Sequence, residues 1–201
     1  MLLDEDQRDA LTEVCNIGMG RAGDALSQLL DTFVALSTPR VRIVRAGESD
    51  LGLRAPGAAQ DAERVTAVRQ SFFVDLQGET ITVFGISGAN DITVLLGAGA
   101  GETMCEDETI LDATSIMVGA LMRGLSEELG ISLALTAPSI LVKNRPSDEL
   151  RVPFDDWRHA LVLEVRLDIE QGPFACHIFT AMPDHTIQNL RGHLDRLLET
   201  I

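Results

Sequence analysis

The chain repeats its own order of elements, and no other feature constrains its fold so tightly. Asp4 with Gln7 three residues later reads as a capping-box start, and helical periodicity then runs to about Leu30. Strand-like segments follow at 33–45, 64–75 and 79–87, with a Gly/Ala/Pro/Asp-rich loop at 46–61 and a short helix at 89–98. The order then recurs. Asp107 reads as the cap of a helix running to Leu129, with Gly130 placed for a left-handed end. Segments 131–143, 159–169 and 173–182 read as strands, 144–157 as a polar loop, and Asp184 as the cap of a last helix. Pro39 and Pro138 fall in equivalent strands, 99 residues apart. VDLQGETITVFGIS in one half parallels LDIEQGPFACHIFTA in the other, each a turn between two strands.

A repeat of this kind predicts an α+β fold with a pseudo-twofold. Two helix-strand-strand-strand-helix units place two long helices side by side on one largely antiparallel sheet. The expected organisation is a single domain, 1–201, made of halves 1–101 and 102–201.

Composition narrows the function. The net charge is −15, and an acidic surface repels phosphate backbones and anionic lipid, so no nucleic acid and no membrane is expected as a partner. A partner with a basic face suits it. Cys15, Cys105 and Cys176 are scattered, with no CxxC, which fits a reduced, cytoplasmic setting. The start MLLDEDQRD is acidic and unlike a secretory leader, and no apolar run is long enough to span a bilayer.

Candidate chemistry sits on the first helix. At about 100° per residue, Asp9, Glu13, Asn16, Gly20, Asp24 and Ser27 form one polar or small stripe. Leu11, Cys15, Gly18, Ala22, Leu26 and Leu29 form the opposite, apolar stripe, which should face the core. Glu13 and Asn16 are one turn apart, so a firm helix can offer a carboxylate and an amide together. Gly18, Gly20 and Gly23 lie inside the helix and match no phosphate-binding loop. Gly20 leaves room for a partner backbone beside Asn16, and Gly18 lets the helix approach the sheet. No serine sits in a nucleophile elbow, and His159, His177, His185 and His193 have no metal-ligand spacing. Cys15 reads as a core residue, and His185 and His193 as surface residues.

The spacing Asp9-x3-Glu13-x2-Asn16-x22-Pro39 resembles the motif of the CheC/CheX/FliY phosphatases of bacterial chemotaxis. The string EVCNIGMGRAGDALSQLL also resembles that family's glycine-rich helix. The motif covers residues 9–39; the architecture that the resemblance implies covers nearly the whole chain. It implies hydrolysis of the aspartyl phosphate of a CheY-like response regulator. Asn16 would orient the attacking water, Glu13 would contact the regulator's active-site lysine, and Asp9 and Gly20 would line the contact. Pro39 is a structural member without chemistry. No cofactor is expected in this chain, since Mg²⁺ belongs to the regulator.

The second half departs from the motif. Counting back from Pro138 gives Glu108, Asp112 and Ser115 where the first half has Asp9, Glu13 and Asn16. Asp is one methylene shorter than Glu, and a hydroxyl lacks the paired donor and acceptor of an amide. The second site therefore reads as degenerate. The alternative is a non-catalytic module of the same fold that docks a receiver domain, the deamidase CheD or a flagellar switch component.

Overall fold

The computed structural model describes residues 3–45, 64–85, 105–147, 150, 159–169 and 175–199. Helix α1 spans Glu5–Leu30 and opens on the expected capping box. The Asp4 carboxylate accepts from the Gln7 backbone N–H at 2.9 Å, and the Gln7 side-chain oxygen accepts from the Asp4 N–H at 3.0 Å. Strands β1 (Val34–Leu36), β2 (Arg40–Arg45), β3 (Arg64–Val74) and β4 (Gly78–Gly85) follow. Helix α2 (Glu106–Leu129) leads into β5 (Leu133–Leu135), β6 (Ser139–Pro146), β7 (His159–Ile169), β8 (Ala175–Pro183) and α3 (Asp184–Leu198). The predicted helix at 89–98 and the loop at 46–61 lie outside the described residues.

The sheet has the symmetry that the repeat predicts. Its order is β1-β7-β8-β4-β3-β5, with β2 also on β7 and β6 also on β3, and every described pairing is antiparallel. Exchanging the two sets of four strands leaves this pattern unchanged. Strands β4 and β8 meet at the centre, and each half's first two strands pair with the other half's third.

Both faces of the sheet are buried. Val68, Phe72, Phe84, Leu161, Leu163, Val165 and Ile178 join Leu11, Cys15 and Met19 of α1 and Ile110, Met117 and Leu121 of α2 in the main core. Residues of the opposite parity, among them Val65, Ala67, Ile81, Val83, Val162 and Phe179, pack with Leu150 on the other face.

Several boundaries correct the sequence reading. The segments expected as single strands at 33–45 and 131–143 are each broken, so each half carries four strands among the described residues where three were expected. The breaks precede Pro39 and Pro138, where a missing N–H interrupts the ladder. A hydroxyl fills in at each: Ser37 N–H donates to the Arg166 carbonyl while Ser37 Oγ accepts from the Arg166 N–H. Thr136 makes the same pair of bonds with Ser71. Strand β6 runs through Asn144–Pro146, which had read as loop. Asp107 does not cap α2. The N-cap is Cys105, without a side-chain bond, and Asp107 pairs with Lys143 of β6. Asp184 is the first residue of α3, its N-cap being Pro183. Its carboxylate is taken by His159, through the backbone N–H at 2.9 Å and Nδ1 at 2.7 Å.

Candidate functional site

The polar stripe of α1 faces outward as its periodicity requires. Asp9, Glu13, Asn16 and Asp24 are exposed and Gly20 is half-buried. Beneath them Leu11, Val14, Cys15, Met19 and Ala22 are buried, so the exposed pair rides on a helix locked by its apolar face. Ser27 ends the stripe at β1, where its Oγ accepts from the Val34 N–H at 3.2 Å. Pro39 is buried at the strand break and contributes no exposed group.

The glycines divide the work differently from the expectation. Gly18 touches α2, not the sheet. A Cβ there would lie 3.0 Å from the Leu121 carbonyl oxygen, and a Cβ at Gly124 would lie 2.3 Å from Gly18 Cα. The two long helices therefore meet backbone to backbone. Arg21 spans the same junction and pairs with Glu127 and Glu128. At Gly20, one turn beyond Asn16, no atom comes within 4 Å of where a Cβ would stand, so the surface there is open.

Helix α2 presents the equivalent stripe. Glu108, Asp112 and Ser115 are exposed, and Gly119, the counterpart of Gly20, is equally open. Thr109, Ile110, Ala113, Thr114, Met117 and Val118 are buried behind them. The two faces differ in chemistry and not in presentation. Ile116, beside Ser115, is an exposed apolar residue that reading for acids and amides passed over. The signal for it was its place 99 residues after Ile17.

Other reactive groups are occupied or buried. Burial pushes the Cys15 thiol up to about 12, so it stays protonated and inert at neutral pH. Cys176 is buried and Cys105 is exposed. His159 is engaged with Asp184, His177 is buried near Glu164, His185 is exposed and half-buried His193 contacts Arg196. Among the described residues no three His, Cys, Asp or Glu side chains group as a metal site. None of the described helices is long and apolar enough to cross a membrane.

Two long helices packed side by side on a largely antiparallel sheet define a fold class that solved chemotaxis proteins share. Residues 7–43 match the model of the CheC-like family. FliY of Thermotoga maritima has this fold with a TM-score of 0.74 at 21% identity, covering 98% of this chain and 100% of that one. The FliM middle domain of H. pylori gives 0.62 at 12% identity, covering 95% and 99%. CheX of Desulfovibrio desulfuricans gives 0.58 at 11% identity, covering 85% and 99%. At such identities the likeness is one of fold. The matched segment, which holds Asp9, Glu13, Asn16 and Pro39, joins that fold in supporting the CheC/CheX/FliY family for this chain.

Proposed function

We propose that the chain is a phosphatase that hydrolyses the aspartyl phosphate of a CheY-like receiver domain. The observation that carries the reading is the exposure of Glu13 and Asn16, one turn apart on a core-locked helix, beside the open surface at Gly20. The acyl phosphate is already activated by the receiver's own Mg²⁺ and lysine, so the phosphatase need only position a water. The Asn16 amide oxygen accepts from that water, and its NH₂ donates to a phosphoryl oxygen. The water oxygen bonds to phosphorus in line with the departing aspartyl oxygen. The products are free carboxylate and inorganic phosphate. Glu13 pairs with the receiver's lysine, and Asp9 and Gly20 line the contact. No metal or cofactor of this chain takes part, and the reaction belongs in the cytoplasm, where receiver domains work.

A binding role is the second reading, in which the same surface docks a receiver domain, CheD or a flagellar switch component without hydrolysis. The fold likeness to the FliM middle domain of H. pylori, and to a FliG–FliM complex from the same organism, favours it. The intact pair on α1 favours the phosphatase. The test is phosphate release from each receiver domain of the source organism, phosphorylated with acetyl phosphate, with and without the protein. Acceleration of at least one receiver supports the proposal; binding without acceleration of any receiver overturns it in favour of the docking role.

A further inference from the structure

The backbone contact between Gly18 and Gly124 has a consequence for how a partner can sit. Helix axes usually pack about 8–10 Å apart, and a glycine-to-glycine contact puts α1 and α2 at the short end. A stable protein interface covers about 800 Å² on each side, a patch roughly 30 Å across. A helix with its side chains is about 10–12 Å wide. A partner centred on Asn16 therefore extends over α2.

Helix α2 offers it a specific edge. Ile116 and Glu127 are eleven residues apart, about three turns, and lie on one row of the helix. Glu127 pairs with Arg21 of α1, so that row borders α1 on its solvent side. From the other wall, Ile17 shares its row with Arg21 at i and i+4. Ile116 is 36% exposed. The other large exposed apolar residues among those described, Phe33, Phe73, Val74 and Leu198, stand beside β1, at the end of β3 and at the end of α3. Flanking Ile116 on its own face is Asp112, four residues earlier, with Gly119 open three residues later. The edge is thus an apolar knob with a carboxylate beside it, continuous across the Arg21–Glu127 pair with the face that carries Glu13 and Asn16.

We propose that the two helices form one docking surface: a single receiver domain, bearing a lysine beside an acyl phosphate, covers both, with Ile116 as the apolar anchor supplied by α2. The pseudo-symmetric stripes then overlap in one footprint, and the chain takes one receiver at a time. This rests on the phosphatase reading above.

The test is Ile116→Glu and Ile116→Leu beside wild type, on a phosphorylated receiver that wild type dephosphorylates. Thermal melts of both variants, expected to match wild type within a few degrees, confirm folding before the kinetics are read, and a misfolded Ile116→Glu is replaced by Ile116→Gln. Ile116→Glu should raise KM by about tenfold or more, the scale of an interface anchor, while kcat stays within about twofold. Ile116→Leu should keep the wild-type KM. Titration with the beryllofluoride-activated receiver should saturate at one per chain. An unchanged KM in Ile116→Glu, or two receivers bound per chain, overturns the inference and leaves the hydrolase standing. If wild type neither binds nor dephosphorylates any receiver, both readings fall together.

Discussion

Glu13 and Asn16 on α1 face solvent as Asp112 and Ser115 do on α2, and each pair has an open glycine one turn on. The helices are locked by the same kind of apolar face and meet at Gly18 and Gly124. What separates them is one methylene and one amide. Equal exposure with unequal chemistry teaches that the fold supplies presentation twice, and that side-chain identity decides which helix can handle a water. The helices also differ in their anchoring. An Asp4–Gln7 capping box starts α1, whereas α2 begins at Cys105 without a side-chain cap and relies on Lys143 against Glu106 and Asp107.

The sharpest break of the comparison alters charge on one helix at a time. Glu13→Lys sets two cations together at the proposed lysine contact, and kcat/KM should fall by roughly a hundredfold. Asp112→Asn, similar in size and on the opposite wall, should change it by less than about threefold, as an exposed charge does. Equal losses from the two would erase the distinction between the helices.

The helix junction separates the glycines. Gly124→Val has no space against Gly18 and should destabilise by about 2–3 kcal/mol, lowering Tm by roughly 5–10 °C. Gly119→Ala meets nothing and should raise stability by up to about 1 kcal/mol through helix propensity. Thermal melts of the two variants read this directly; a harmless Gly124→Val would remove the close approach.

Capping should show the inverse asymmetry. Asp4→Ala should cost about 1 kcal/mol. Cys105→Ser, at an extended N-cap (φ −71°, ψ 124°), should gain up to about that much. Urea titrations at fixed pH decide both.

The smallest effect concerns pH. Partial burial works to raise the Asp184 carboxyl, but hydrogen bonds from the His159 backbone and imidazole outweigh it and leave the pKa below the usual carboxylate value. With the folded pKa depressed, the unfolded chain binds the proton first. The contribution is therefore present above about pH 4 and lost as pH falls through the folded value. The stability gap between wild type and Asp184→Asn should shrink below about pH 4; a constant gap would mean that the carboxylate charge is not what His159 holds.

Much of this was legible in the sequence because it is local or periodic. The 3.6-residue rhythm of α1 placed Glu13 and Asn16 outside and Cys15 inside, and the Pro39–Pro138 interval announced the duplication. The misreadings share one physical cause, a partner distant in the chain. Asp107 and Asp184 have the composition of caps, yet Lys143 and His159 claim their carboxylates. The small residue at Gly18 was legible, but its neighbour on α2 was not. The strand breaks turn on single hydroxyls, Ser37 and Thr136, filling the ladder across the sheet. Nor does periodicity within one strand reveal that β1 and β2 pair with β7 of the other half.

The most direct measurement compares Asn16→Ala with Ser115→Ala on one phosphorylated receiver, following phosphate release and binding of the activated receiver together. The account predicts that both variants bind, that Ser115→Ala turns over within about twofold of wild type, and that Asn16→Ala loses roughly two orders of magnitude or more, as when a group that stabilises the transition state is removed. Near-normal turnover by Asn16→Ala, or an equal loss from Ser115→Ala, would contradict it.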